Sequence, residues 1–503
     1  MVSNMLRKFI FALLFSFIFC QSSPIDIATS GARQLRMLGQ LNVSHNPATL
    51  GYFAVAKIDT LDSTEESVDS LFTELSEGFE KEQNAENNLE NEFDEFEENG
   101  DIQVEEQIVI SEEILSDSII ADTESSNFSM SIFNISFGLS SGSVTPDWIN
   151  NQLFGGRDLR DSEERKDFLR GISEDMNIQL PIVSALPVLN MSFESTVISL
   201  GQIISYTSIK IPSDLAQVPF IGLEKGEELD INDFGIEHIT YLPVSYSKGF
   251  ILQPGLIPFG RKSYAGVRAS LLVGLAEIHT EKVSGVLLGT NDNTLIDADI
   301  KMNASLPVSI GAGAIPKASL SFGFGLDLGL ITEIDDKLTV GVSIDNLIAS
   351  FNWSGATIYT ATVAGEITPE ELSESDSLSD YLEQSEVKEI GDYKTSLPMS
   401  INLSGTYLAK EWVTLDANIK LDIGDTYWAS KTPLISLGSE FYPGSKIPLF
   451  FGISLGGHNG FIWGAGLSIK MGSVIMDLGG GQEGGVFNNA TGIRAGFGLR
   501  YEK

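Results

Sequence analysis

This chain of 503 residues carries a single cysteine, four histidines, and only 31 lysines and arginines against 69 aspartates and glutamates. With one thiol there is no internal disulfide, so backbone hydrogen bonding and packing must hold the fold. The histidines, His45, His238, His279 and His458, have no partner at metal-ligand spacing. They are expected to be structural or surface residues, not zinc ligands or general bases. A formal charge of −38 excludes the basic face that a nucleic-acid partner requires. There is no phosphate-binding loop and no paired-carboxylate signature, so neither a cofactor nor an enzymatic activity is expected. Also missing is any window of the ~20 apolar residues a membrane-spanning helix needs. If this chain enters a bilayer, it must do so with strands.

The longest apolar run, Phe9 to Phe19, follows Arg7 and Lys8 and precedes the small residues Ser22 and Ser23. That is the layout of a secretory signal over residues 1–23, removed on export. Cys20 follows Phe19 instead of the small residue a lipid-attachment signal normally has, so it is expected to leave with the signal.

The charge is concentrated. Between Leu61 and Ser125 there are 23 acidic residues and one base, Lys81. Like charges at this density repel, and few apolar residues are there to offset the entropy of ordering, so residues 61–125 read as a solvated, disordered insertion. No spaced D-x-D-x-D-G calcium loop occurs within it.

From Leu397 to Tyr501 nearly every segment alternates apolar and polar residues, then breaks at glycine, proline or asparagine. Val413, Leu415, Ala417, Ile419, Leu421 and Ile423 share one parity; Thr414, Asp416, Asn418, Lys420 and Asp422 share the other. This is a strand with one oily and one wet face. Comparable segments recur from residue 126 to the end, roughly 14 of them. In Phe128 to Leu139 the parity slips near Phe133, which a bulge would produce. Pro146 to Met176 has helix-like spacing and reads as a connection with one or two short helices, with strands resuming near Met191. Glu366 to Glu389 reads as a second long acidic surface loop. Near the amino terminus, Arg33 to Leu38 reads as a short helix ending near Gly39, before Asn46-Pro47-Ala48.

A soluble β-sandwich would also alternate. Strands of nine or more residues match a tilted bilayer crossing, and Trp353, Trp412, Trp428, Tyr407 and Tyr427 fall near strand ends, as an interfacial girdle would require. The expected fold is therefore all-β: a closed antiparallel transmembrane barrel of roughly 14 strands, residues 126–503, with a short amino-terminal hatch segment, residues 24–60, and the acidic insertion.

Specific runs carry a family resemblance. Phe322-Gly323-Phe324-Gly325-Leu326-Asp327-Leu328-Gly329-Leu330, followed by Leu338 to Leu347 and closing at Phe351-Asn352-Trp353, resembles the central hairpin of PorV-like barrels in the superfamily of the long-chain fatty acid transporter FadL. Leu397-Pro398-Met399-Ser400-Ile401 and Leu437-Gly438-Ser439-Glu440-Phe441-Tyr442-Pro443 are similar to the strands that follow. Asn46-Pro47-Ala48 is similar to the hatch motif after the signal. The resemblance implies a barrel in the bacterial outer membrane, in contact with its lipid, plugged at its amino terminus, and passing hydrophobic small molecules. The long acidic insertion after the hatch departs from the transporter pattern.

Two Gly-x-Ser-x-Gly matches, Gly138 to Gly142 and Gly452 to Gly456, lie in or at the end of alternating strands with no helix following, so neither is a nucleophile elbow. The candidate functional positions are the hatch residues Asn46, Pro47 and Ala48, and the wet-parity residues Asp416, Asn418, Lys420, Asp422, Arg494 and Arg500. Facing a lumen, the latter would set its charge and hydration; equally, they would pair with one another to fill a narrow barrel. Three functions fit: a channel for apolar small molecules, a PorV-like scaffold or secretion accessory that binds other envelope proteins, and a surface adhesin whose acidic loops face outward.

Overall fold

The computed structural model describes residues 23–36, 46–55, 119–120, 128–142, 144–148, 164, 176–185, 190–200, 202–215, 218, 223–290, 293–305, 321–367, 383–424 and 426–502. The expected signal and most of the acidic insertion lie outside this set.

The strands are β1 (Ile119–Ile120), β2 (Phe128–Ser140), β3 (Met176–Ala185), β4 (Asn190–Phe193), β5 (Thr196–Ser199), β6 (Gln202–Ile211), β7 (Glu228–Asp230), β8 (Gly235–Leu252), β9 (Lys262–Gly289) and β10 (Thr294–Ser305). They continue with β11 (Ser321–Glu333), β12 (Leu338–Ile367), β13 (Glu383–Ser396), β14 (Met399–Lys410), β15 (Val413–Ile423), β16 (Leu434–Phe441), β17 (Leu449–Gly456), β18 (Gly460–Met471), β19 (Val474–Glu483) and β20 (Gly492–Glu502). Fourteen of them form a closed antiparallel ring, β2-β3-β6-β8-β9-β11-β12-β14-β15-β16-β17-β18-β19-β20. Closure is made by β20 pairing back onto β2, with Ile135 opposite Phe497. The register on that seam shifts between Ser131 and Phe133, where the parity of the sequence slips. Short β4 and β5 extend the wall below β3 and β6, pairing with β2 and β8.

The ring turns its oily parity outward. In β15, Leu415, Ile419, Leu421 and Ile423 are exposed, whereas Thr414, Asp416 and Asn418 are buried. The same holds around the wall at Phe137, Leu271, Phe324, Leu403, Leu437 and Phe451, all exposed. A continuous apolar belt on a closed ring, with the polar residues inside, is the reverse of a water-soluble barrel. Among the described residues no helix is long and apolar enough to cross a membrane. Placing a charge on the belt, as in Leu437→Arg, is expected to destabilise the inserted barrel by about 2–4 kcal/mol, read from unfolding in lipid vesicles. The inward neighbour change Ser436→Ala should cost far less.

Several connections at one end are tight: Glu411 and Trp412 between β14 and β15, Gly472 and Ser473 between β18 and β19, and residues 334–337 between β11 and β12. The carboxyl-terminal end of β20 lies there too. At the other end β9 and β12 run on for 28 and 30 residues, beyond the ~9–11 a tilted crossing uses. Their upper halves join β7, β10 and β13 in a sheet standing above the ring, covered on one face by Leu229, Ile231, Leu215 and Phe234.

Four expectations are corrected. The amino-terminal helix is Pro24–Ala28, because Ser23 caps it and Pro24 starts it, and of the helix expected over Arg33 to Leu38 the described residues 33–36 form a turn, with 37 and 38 outside the described set. Strand structure resumes at Met176, not Met191; in β3 Met176, Ile178, Leu180 and Ile182 alternate, but Pro181 in the run argues against a central strand. Part of the expected acidic loop over 366–389 is strand, since β12 ends at Ile367 and β13 begins at Glu383. Trp412 and Tyr407 are exposed girdle residues, but Trp353 and Tyr427 are buried, 0% and 4% exposed, inside the molecule.

Candidate functional site: a plugged and capped lumen

The amino-terminal segment enters the barrel at its tight-turn end. Helix α1 (Pro24–Ala28) begins with the Ser23 hydroxyl accepting from the Asp26 amide at 3.1 Å. It stops at Ser30 and Gly31, which have φ of 50° and 79°. Ile25 and Ala28 pack on Phe450 of the wall. The segment lies so close to the strands that the wall opposite it is glycine. A β-carbon at Gly479 would overlap the Pro24 carbonyl oxygen, and one at Gly452 would overlap the Thr29 backbone.

Two charges lock this leg. The carboxylate of Glu440 on β16 receives Arg33 at 2.8 Å and Arg36 at 2.6 Å, and the Arg33 guanidinium stacks 5.0 Å from the Phe450 ring centre. The second leg holds Asn46, Pro47 and Ala48, which form a corner clamped onto β11 and β12. Asn46 Nδ2 donates to the carbonyls of Val342 at 3.2 Å and Leu330 at 3.4 Å, while its Oδ1 accepts from the Ala48 amide at 3.0 Å. Gly329 and Gly266 leave room for Asn46 and Pro47. Beyond the corner runs helix α2 (Thr49–Val55), with Tyr52 edge-on to Tyr264.

Around and above the plug, inward-facing side chains form a hydrogen-bonded lattice. Asp416 accepts from Thr406 at 2.6 Å, and Asn418 accepts from Ser404 at 2.8 Å and donates to Asn402 at 3.2 Å. Asp422 meets Lys420 at 3.2 Å and accepts from Ser400 at 2.6 Å. Arg500 Nε reaches Asp477 at 2.7 Å and also contacts Glu502; Arg494 pairs with Glu483. The structure thus divides the six wet-parity residues. Asn418, Lys420, Asp422 and Arg494 line a cavity of about 320 Å³, whereas Asp416 and Arg500 are among the lattice residues outside its lining.

The cavity floor is the plug itself, through Asp26, Ser30, Gly31 and Gln34. Its wall is polar over much of its area and includes the buried Arg268–Asp327 pair, 2.9 Å apart. It also carries aromatic and aliphatic side chains, Ile204, Tyr206, Tyr241, Leu272, Leu397 and Trp428. Sequence reasoning missed Arg268, although it shares the buried parity of Gly266 and Ser270. Tyr206 and Tyr241 were missed because their parity alone does not say how deep in the lumen they stand.

The connection between β15 and β16 folds inward as a cap. Tyr427, at φ 52°, donates its amide to Glu237 at 2.5 Å and its hydroxyl to Glu277 at 3.0 Å. Glu277 is fully buried and also accepts from the Tyr393 hydroxyl. Trp428 then stands edge-on to Tyr206 with centroids 5.8 Å apart, and the Ser430 amide donates to Asp422 at 3.1 Å. Removing the hydroxyl in Tyr427→Phe is expected to weaken the cap by about 1–3 kcal/mol, the cost of leaving a buried acceptor short of a partner. Faster amide exchange in residues 424–433, with β15 and β16 unchanged, is the readout.

Ser140 and Ser454, the central residues of the two Gly-x-Ser-x-Gly matches, lie within β2 and β17 and are buried. Among the described residues no cluster of three or more histidine, cysteine, aspartate or glutamate side chains converges on a metal position.

No curated protein matches the sequence. Similar solved structures include the Pseudomonas putida toluene transporter TodX, at 11% identity and TM-score 0.31, covering 76% of this chain and 89% of that one. The CymD monoaromatic hydrocarbon channel is similar at 11% identity and TM-score 0.33, over 76% of this chain and 89% of that one. The family profile matched covers residues 121–479, nearly the whole ring. By that match the chain belongs to the family of unknown function DUF5723.

Proposed function

We propose that this protein is an outer-membrane barrel that admits small, largely apolar compounds into a plugged lumen. The observation that carries this reading is the cavity between plug and cap, where an aromatic and aliphatic patch from Tyr206, Tyr241, Leu272 and Trp428 adjoins a polar lattice. The lining sets this apolar patch among charged, hydroxyl and amide side chains, which suits a compact ligand with one apolar face and several hydrogen-bonding positions. At about 320 Å³ it is at the small end of ligand sites. Passage works by diffusion and requires the plug to shift, because the plug is the cavity floor.

The test is accumulation of a radiolabelled single-ring hydrocarbon and of a labelled long-chain fatty acid by cells with the gene deleted and restored. The reading expects slower uptake of at least the ring compound in the deletion. Restoration with Trp428→Glu, which puts a charge on the apolar patch, should not repair it. Unchanged uptake together with co-purification of a large envelope complex would replace the channel with the scaffold reading.

A further inference from the structure

We infer that the acidic block stands on the periplasmic side of the outer membrane, facing the cell and not its surroundings. The inference rests on the outer-membrane reading above, and on where the described chain enters and leaves the block. Upstream, α2 ends at Val55, and its Gly51 is pressed against Gly249 and Phe250, three and two residues from the tight-turn end of β8. Downstream, β1 pairs Ile119 with Leu252 and Ile120 with Ile251, the last two residues of β8. The next strand, β2, starts at the same level: Phe128 lies opposite Phe193 beside the β4–β5 turn, and Ser129 lies opposite Glu502 at the carboxyl-terminal end of β20.

Both ends of the segment therefore emerge at one rim, the rim with the two-residue turns and the carboxyl terminus. In outer-membrane barrels short turns face the periplasm and long connections face outward. Here the long structures, the upper halves of β9 and β12 with β10 and β13, stand at the opposite rim. A chain tethered at both ends to one rim cannot present its middle across the bilayer without threading the plugged lumen. The −22 charge between residues 61 and 125 thus meets components of the periplasm. The surface-adhesin reading, which needs this block outside, loses its basis.

The experiment is single-cysteine labelling of the full-length protein in cells, with Cys20→Ser as background. Ser76→Cys and Asn99→Cys report on the block, Asn488→Cys on the exposed loop between β19 and β20, and Lys446→Cys on the β16–β17 turn. A membrane-impermeant maleimide on intact cells should label position 488 alone; after the outer membrane is permeabilised, all four should react. Labelling at 76 or 99 on intact cells overturns the inference, and so does labelling at 446 without 488. Fractionation of the same cells separates the two readings: a protein absent from the outer membrane defeats the membrane reading itself, whereas a protein present there with position 76 labelled from outside defeats only the sidedness.

Discussion

Gly479→Val should unseat the plug while leaving the barrel closed. The Pro24 carbonyl occupies the space a β-carbon would need, and the obstacle is backbone on both sides, so no rotamer change relieves it. Overpacking a tight interior costs about 1–3 kcal/mol when side chains can give, and more when they cannot. The strand has an alternative, because valine is favourable in a β-ladder, so the least costly response is withdrawal of residues 23–31 from the wall. Arg33 and Arg36 would then become accessible. Trypsin cleavage at these two residues should accelerate at least about tenfold, the equivalent of about 1.4 kcal/mol, while the folded barrel keeps its resistance to heat and detergent. Conductance in planar bilayers should rise in parallel. Unchanged cleavage would mean that the plug does not rest on this wall.

Glu440→Leu attacks the same docking from the electrostatic side. Glu440 is 4% exposed and is the carboxylate on which Arg33 and Arg36 converge. Removing one partner of a buried ion pair costs about 3–5 kcal/mol, chiefly because the remaining charge is left without compensation. Here two guanidiniums lose their acid together. The expected result is loss of amide-exchange protection in residues 23–36 with little change in the strands. The triple variant Arg33→Met, Arg36→Met, Glu440→Leu should regain much of the protection, since apolar replacements of similar volume remove the three charges together and Asp416 keeps its hydrogen bond from Thr406. If Glu440→Leu alone retains full protection, the ion pairs do not hold the plug. The two variants also separate causes: Gly479→Val blocks the seat sterically, and Glu440→Leu removes its attraction.

Much of the wall was legible because a strand has a period of two and its burial here has only two states. Along β15 beyond Val413 the residues on the oily parity face out and those on the wet parity face in, since hydrocarbon outside and a polar lattice inside impose opposite chemistry on neighbours. Where the wall stops being a simple ring, the pattern lost its meaning. Trp353 sits near a strand end in sequence, but β12 continues above the ring; its indole stacks with Phe351 and donates to Thr395 at 2.8 Å. Tyr427 lies in a loop that dives into the lumen, so its place near a strand end says nothing about lipid. The amino-terminal helix was misplaced because Ser23 and Pro24 read as the end of a signal, where small residues are also expected.

The site was legible in outline only. Alternation points Asn418, Lys420, Asp422 and Arg494 inward, but it cannot say which inward residues meet a plug and which meet a cavity. That depends on how far the plug penetrates, which is fixed by glycines at scattered places in β8, β9, β11, β17, β18 and β19. In the sequence those glycines look like any others on the wet parity. Arg268 and Asp327 are 59 residues apart in the chain. Only the β9–β11 register, which places them opposite each other, makes them a pair.

The central claim is that β2 and β20 join to close a ring whose oily side meets lipid. In a Cys20→Ser background, Ile135→Cys and Phe497→Cys place thiols on directly opposed residues of these strands. Oxidation of purified outer membranes, followed by denaturing electrophoresis, should give a monomeric disulfide band of altered mobility in high yield. A control pair one strand apart, such as Ile135→Cys with Leu478→Cys, should give far less. No intramolecular disulfide in the membrane-inserted protein, or recovery of the chain as a water-soluble monomer, would contradict the closed barrel.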